Sequence, residues 1–537
     1  MKKVLILLAL VLLAYAQSVR HELLRYDDAE YVLVNKHMRA GLTPANVRWA
    51  VMSCGYAANW HPLAWLSLMA DVSVDRLLRG GAMADEKAWM DYDTRLAHLM
   101  HAHNVVLHAV NAALLMLLVL AVCRGSLAPV WAFLLALLWA VHPLRVEVVC
   151  WVAERKELLS VMFMLLTLIA YVKDSSRRQG LLSAPYVLSL LFYALALLAK
   201  PVAVSLPAVI FAWDWIFGGR VRWRRFLPFA ALSAAACALT MMAQTEAIDV
   251  GRSIPLAARL TTVLGGPLFY LRQTFWPVGL SAFYPVTTEV NVPLVLGGAA
   301  LVGAMAWVSI RWLRRRERLA GIAAFAVAWL YVGLLPMLGV IKVGTEEHSD
   351  RYTYWIGCGA AVVLAQLIVW LKPRREAVLK ALQADPVREP WALLRRYLVI
   401  GGLAVAAVLG CLTQVRQRYW RDSVTLFRDA VSKSWMPEAA NILAFVLRSE
   451  RIGGGAAEAE WWLRECATRR PSPDADLALA EFLLGKTPEP VLSEEDRRHR
   501  FLEEEDLIRR YLEADPNGKR AKELLKRITD FREGKDR

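Results

Sequence analysis

Two adjacent carboxylates, Asp27 and Asp28, stand in the string RYDDAEYVLVN (Arg25 to Asn35), a few residues beyond the first apolar segment. Crowding acids beside a membrane exit is costly, because like charges in a partly dehydrated site raise each other's pKa unless a cation or substrate compensates. The pair is therefore a candidate general base at a membrane surface; the plain alternative is a solvated turn in which an Asp caps a helix. Cations recur in other polar strings. HPLRVEVVCWVAERKE (His142 to Glu157) carries Arg145, Glu154, Arg155 and Lys156; AKPVAVSLP (Ala199 to Pro207) carries Lys200; GVIKVGTEEHSDRYTYW (Gly339 to Trp355) carries Lys342, Asp350, Arg351 and Tyr352. Arg155 with Lys156, and Arg351, are the strongest phosphate candidates: each base sits among acids and aromatics, and a guanidinium can grip phosphate bidentately. Snorkelling anchors that pair with neighbouring acids or headgroups are the competing explanation. His61, in NWHPLAWLSLMAD (Asn59 to Asp71), and His142 each precede a Pro; with His103 they either satisfy a backbone carbonyl or hydrogen-bond a phosphate or sugar. Asp27, Asp28 and Glu154 would suit Mg or Mn as hard oxygen ligands, but no tight spacing requires a metal and none is expected.

The elements that must position these residues are membrane spans. Of 537 residues 57% are hydrophobic, the mean hydropathy is +0.36, and apolar runs recur at 4–19, 99–122, 127–141, 158–172, 183–199, 202–217, 226–243, 292–310, 319–338, 355–371 and 397–413. They predict an all-α polytopic bundle of about eleven transmembrane helices, although several runs fall short of the roughly 20 residues of an ideal crossing. Lys and Arg collect at Lys2 and Lys3, Arg124, 173–179, 218–225, 311–318 and 372–396, which marks that face as cytoplasmic. The loops at 20–98, 142–157, 244–291 and 339–354 then lie outside, and they hold almost all the unusual polar chemistry. The net charge of +15 is thus mostly topology; no basic patch interleaved with aromatics points to nucleic acid. The basic start, apolar core and Ala14-Tyr15-Ala16 fit a cleavable signal, but retaining the segment tethers the Asp pair to the membrane, and retention is expected. An interfacial or re-entrant helix is expected over Leu260 to Trp276. Seven cysteines fall without paired spacing; Cys54, Cys150 and Cys466 would lie outside, where a disulfide can form, but an odd count without pattern predicts no particular pairing.

From about Trp420 charge rises and helical periodicity replaces spans, with helices expected near 421–433, 437–450, 455–469, 474–485, 494–513 and 518–532. Pro437 and Pro473 open helices at an interval close to the roughly 34-residue tetratricopeptide period, the next interval, to Pro516, is long, and the full consensus is missing, so 419–537 reads as degenerate repeats following a membrane domain at 1–418. Such a tail either offers a concave surface to a peptide or partner protein, or caps the membrane domain.

Taken in order, DDAEYVLVN, NWHPLAWLS, HAHNVVLHAVNAALL (His101 to Leu115), HPLRVEVVCWVAERKELLS, AKPVAVSLP and SDRYTYW, followed by the repeat-like tail, carry a resemblance over roughly residues 20–360. The chain resembles the transmembrane and tetratricopeptide-repeat protein O-mannosyltransferases and their bacterial relatives, of the GT-C superfamily. The resemblance implies inverting transfer of a sugar, with mannose the family's choice, from a polyprenyl-phosphate donor to an external acceptor, with Asp27 or Asp28 as the base and no metal or cofactor. A protein hydroxyl is the first acceptor expected; a glycolipid or cell-envelope glycan is the second. His61, His142, Glu154, Arg155, Lys156, Lys200, Asp350, Arg351 and Tyr352 are the candidate ligands of donor phosphate or sugar. The implied setting is a bacterial inner membrane with the N-terminus cytoplasmic and the repeats periplasmic. A non-catalytic scaffold that anchors the repeats is the other class considered, and acids, His and Lys at so many external helix ends exceed what an anchor needs.

Overall fold

Proline punctuation decides where the apolar runs bend. A Pro lacks the N–H a helix needs and pushes the residue before it out of the helical region. In the computed structural model, His142 (φ −77°, ψ 136°) and Lys200 (φ −160°, ψ 136°) are both extended immediately before a Pro. The first break bends helix Pro129–Ala140 by 62° into the segment Pro143–Cys150; the second ends helix Ala184–Ala199 at Lys200. Each break turns a polar side chain away from a helix that would otherwise have carried it on through apolar surroundings.

The structure describes residues 1–79, 94–177, 182–243, 259–285, 290–338, 346–381, 390–449, 455–469, 473–484, 494–515 and 519–532. These are almost wholly helical; the described strands form one short antiparallel ladder, Tyr284–Pro285 with Glu346–His348. The chain divides into two compact units, Met1–Asp422 and Ser423–Arg537.

Among the described residues six helices are long and apolar enough to cross a membrane: Thr94–Cys123, Trp223–Ala243, Val292–Arg315, Arg318–Met337, Asp350–Leu371 and Leu393–Trp420. The bent pair makes a seventh if it counts as one span. The expectation of eleven exceeds this by four: Lys2–Ala14, Ala184–Ala199 and Pro201–Ile216 are shorter than a full crossing, and Arg155–Arg177, which holds the run 158–172, is charged at both ends. Leu296, Trp307, Ile400 and Val408 stand exposed on two of the spans, as faces that only lipid would cover. The first unit is an all-α, multi-pass membrane fold.

One buried polar stripe ties the broken helices together through backbone carbonyls. On Thr94–Cys123, Asn104, His108 and Asn111 recur at helical spacing and face inward. Asn104 Nδ2 donates to the Trp151 carbonyl at 3.0 Å and Asn111 Nδ2 to that of Leu158 at 3.0 Å. His108 Nε2 lies 3.0 Å from the Ala140 carbonyl, at the end of the helix that bends. The HAHNVVLHAVNAALL string thus staples broken helices around the polar loops rather than lining a substrate path. Near 260–276, helix Gly266–Phe275 follows one wide turn, Thr261–Gly265, and leaves Phe275 and Trp276 exposed.

In the second unit, helices Ser423–Lys433, Pro437–Ser449, Gly455–Arg469, Pro473–Leu484, Glu494–Ala514 and Lys519–Arg532 pack each against the next. Their shared core holds Leu443, Leu447, Leu463, Leu479 and Leu483. Pro437 and Pro473 occupy first helical positions, where the missing N–H costs nothing; Pro516 lies outside the described residues.

Candidate active site

The two adjacent acids go separate ways. Asp28 is fully buried; its Oδ2 accepts from the Leu24 N–H at 3.0 Å and its Oδ1 from the Ala153 N–H at 2.7 Å. It ties the first loop to a segment 125 residues downstream. Asp27 keeps a third of its side chain exposed, with Oδ2 3.4 Å from Lys156 Nζ. Of the two carboxylates, Asp27 is the one that reaches solvent.

Burial raises the Asp28 carboxyl from 3.8 to about 7, the two N–H donors opposing the shift and Asp27 adding to it. Because the folded value is the higher one, the contribution of Asp28 to stability is full below about pH 4 and is lost progressively as pH rises towards 7. An Asn at this position has one acceptor oxygen for two N–H donors and leaves a buried donor unpaired, at a cost of about 1–3 kcal/mol. Asp28→Asn is therefore expected to lower the thermal midpoint, by a margin that is widest in acid and narrows towards neutral pH; a melting series from pH 4 to 8 checks this.

Behind Asp27 three cations close on one carboxylate. Glu154, 1% exposed, has Lys200 Nζ at 2.9 Å, Lys156 Nζ at 3.5 Å and Arg351 Nε at 3.8 Å. Burial alone would push this carboxyl up, but Lys200, Lys156 and Arg351 outweigh it and hold it at about 2. Glu154 is thus a fixed anion that spaces cations and cannot serve as a proton carrier near neutrality. Lys156 also donates to Tyr31 Oη at 3.1 Å and lies over the Tyr31 and Trp151 rings. Lys200 reaches Glu157 at 2.9 Å. Arg351 forks onto Glu147 at 2.5 Å and Glu346 at 2.8 Å, with the Trp151 and Tyr352 rings beside its guanidinium. Trp151 stacks on Tyr26, one residue before the acid pair, and forms the floor between base and cations.

Local sequence explains this convergence. The Pro143 bend delivers Glu147 and Trp151, the 3-10 turn Val152–Glu154 delivers Glu154, and the helix that starts at Arg155 presents Lys156. The Pro201 break delivers Lys200, and the turn Asp350–Tyr352 at the head of a span delivers Arg351.

Other candidates stand elsewhere. Arg155 is fully buried and spends its guanidinium on Asp71 at 2.9 Å, Ser67, the Met100 carbonyl, Asn104 and His103. No donor remains for a phosphate, so the structure removes Arg155 from the cluster. His103 joins the same group, its side chain a third exposed and its Nδ1 2.7 Å from Asp71. His142 caps the turn after the bend, its Nδ1 accepting from Leu144 N and its Nε2 donating to the Thr274 carbonyl at 2.9 Å, so neither nitrogen is left for a sugar. Arg145 is buried on Thr353, and Asp350 accepts from Tyr284 Oη at 2.9 Å. Lys342 lies outside the described residues. His61 is 1% exposed and packs against the Tyr31 and Trp65 rings, which also touch each other, and burial lowers its pKa well below 6.5. Asp27, Asp28 and Glu154 do not converge as metal ligands: Asp28 is spent on N–H groups and Lys156 stands between the other two. Sequence reasoning did not single out Glu147, Glu157, Glu346, Tyr31 and Trp151. All five lie within the quoted strings; distance from Asp27 in the chain hid Glu147, Trp151, Glu157 and Glu346, while Tyr31, four residues from Asp27, had nothing in the sequence to tie it to Lys156.

No family model matches the chain. It is 25% identical over 491 residues to Protein O-mannosyl-transferase TMTC4 of Mus musculus, covering 78% of this chain and 60% of that protein. To Protein O-mannosyl-transferase Tmtc2 of Drosophila melanogaster it is 29% identical over 284 residues, 48% of this chain and 28% of the relative. The chain is similar to the TMTC protein O-mannosyl-transferases. A shorter stretch of 109 residues reaches 34% identity with Protein O-mannosyl-transferase TMTC3 of Mus musculus, over 20% of this chain and 11% of that one. Each of these alignments spans less than two thirds of the relative's own length, so the resemblance to the TMTC proteins is a likeness of parts.

Proposed function

We propose that the chain is a GT-C membrane glycosyltransferase that moves a hexose, mannose by analogy with its relatives, from a polyprenyl-phosphate donor to a protein hydroxyl. The observation that carries this reading is the Asp27 carboxylate, a third exposed and paired with Lys156, one of three cations, with Lys200 and Arg351, gathered around Glu154. Asp27 takes the proton of the acceptor hydroxyl, whose oxygen attacks the anomeric carbon as the bond from that carbon to the phosphate oxygen breaks. The electron pair leaves with the phosphate, and the cations stabilise the charge that grows there. Attack opposite the leaving group inverts the anomeric centre. Asp28 holds the loop that carries Asp27, and Tyr31 and Trp151 hold Lys156. In this reading the shorter apolar helices complete about eleven crossings, the acid loop faces the periplasm of a bacterial inner membrane, and residues 419–537 are tetratricopeptide-like repeats that hold the acceptor protein.

Membranes containing the full-length protein, given a polyprenyl-phosphate-linked hexose and an unfolded acceptor polypeptide, are expected to transfer the sugar with inversion, as followed by mass spectrometry of the acceptor. A chain ending at Asp422, the close of the first compact unit, is expected to retain transfer to a short hydroxyl peptide and to lose most transfer to a whole protein, because remote binding energy is lost while the reacting centre stays. Sugar appearing only on lipid or glycan would move the acceptor to the second class. Donor bound by the protein but never turned over would favour a scaffold.

A further inference from the structure

We propose that the first unit holds a second anion site, for the phosphate of a membrane lipid headgroup, at the opposite end of its bundle from Asp27. A cavity of about 1050 Å³ is lined by Arg124, Arg220, Arg222, Arg225, Arg316 and Arg318, against one lining carboxylate, Asp214. Two of the six are neutralised. Arg222 grips Asp214 at 2.7 and 3.1 Å, with Tyr171 Oη also donating to that Asp, and Arg225 pairs with Asp174. Among the described residues no ion pair to a carboxylate occupies Arg124, Arg220, Arg316 or Arg318. The cavity is a concentrated positive charge with room for an anion.

Topology alone does not account for it. A loop made basic to stay in the cytoplasm can carry its charge at any residue. Here two of the arginines occupy the positions where a side chain is least welcome: Arg124 has φ +47° and Arg316 φ +53°, each just past the end of a span. Left-handed residues after a helix C-terminus favour Gly, because a Cβ crowds the backbone there. Keeping Arg at both, on two different helices that open on the same cavity, is a cost that a shared ligand explains.

The position identifies the ligand's source. The helix Thr94–Cys123 passes Asn104, which touches Arg155 and the Trp151 carbonyl beside the candidate active site, and ends at the cavity with Cys123. That stretch rises roughly 28 Å, close to the roughly 30 Å of a bilayer's hydrocarbon core. Trp213 and Trp312 line the cavity, and the Arg316 guanidinium lies 4.5 Å from the Trp312 ring, the aromatic and basic pairing found at headgroup level. A guanidinium cluster recognises phosphate oxygens through paired N–H donors.

The test uses full-length protein purified in mild detergent after reconstitution with phosphatidylglycerol or phosphatidylcholine, with retained lipid read by native mass spectrometry. The expected result is phosphatidylglycerol carried through delipidation in preference to phosphatidylcholine, undisturbed by excess inorganic phosphate. In the double variant Arg124→Gly/Arg316→Gly, retention is expected to fall about tenfold or more, as two charge-assisted contacts are lost. Its thermal midpoint should not fall, because Gly relaxes both left-handed positions, and that separates loss of a site from loss of the fold. Equal retention in variant and parent would overturn the proposal and return these arginines to topology. A parent that retains no lipid, yet is stabilised by inorganic phosphate where the variant is not, would also overturn the headgroup assignment and leave free phosphate as the ligand.

Discussion

Asp27→Asn is expected to leave the protein folded and to cut sugar transfer by about 100- to 10,000-fold, the usual loss when a general base is removed. The amide keeps the shape of the carboxylate and loses its basicity. Folding should be spared because the one hydrogen bond given to Asp27 is a 3.4 Å contact from Lys156, and its side chain is a third exposed. The neighbouring substitution gives the discriminating comparison. Asp28→Asn should lower stability and activity together, since both oxygens of Asp28 are committed to backbone N–H groups. Initial rates in membranes, set beside thermal midpoints of the same preparations, separate the two behaviours. Near-normal turnover by the Asp27 variant would remove it as the base, and a stable, inactive Asp28 variant would exchange their roles.

That division of labour was not legible in the sequence, although the pair itself was. Nothing in DDAEYVLVN says which acid turns inward, because the answer depends on the N–H of Ala153, which reaches Asp28 only after the Pro143 bend has folded back. The same limit governs Arg155 and Lys156. Successive residues at the start of a helix point about 100° apart, so one goes to Asp71 and Asn104 and the other to Asp27 and Glu154. A string read as one basic motif therefore splits into a buried strut and a site cation. The Pro steps were readable as breaks, and each does end or bend a helix; what they deliver, Lys200 and Trp151, needed the partner elements. The acids Glu147 and Glu346 were visible as neighbours of basic residues but had no sequence signal tying them to Arg351, from which one of them is separated by 204 residues. The membrane character was plain from composition. Six helices meet the length of a crossing without help, whereas the shorter apolar runs are cut by the same prolines that build the site.

Arg351 offers the second large effect. Its guanidinium bridges Glu147 and Glu346 while its Nε comes within 3.8 Å of Glu154, an arrangement that only a planar fork spans. Arg351→Lys keeps the charge but supplies a point ammonium that cannot face three carboxylates in one plane. Glu147, 2% exposed, then loses part of its only described cationic partner. Stripping a partner from a buried ion pair costs about 3–5 kcal/mol, and a Lys that reaches one acid of the three recovers a fraction of that. Transfer is expected to fall at least about tenfold, with the loss in kcat exceeding any rise in KM for the donor, because charge growing on the leaving phosphate meets a misplaced cation in the transition state more than in the ground state. Arg315→Gln supplies the control: Arg315 is exposed at the end of its span, 3.8 Å from Glu317, and lines neither site. It should leave transfer unchanged. If Arg351→Lys raises KM alone, Arg351 binds the donor without favouring the transition state. If both variants lose activity alike, the charge at residue 351 serves the membrane topology, and Lys156 with Lys200 must carry the leaving phosphate unaided.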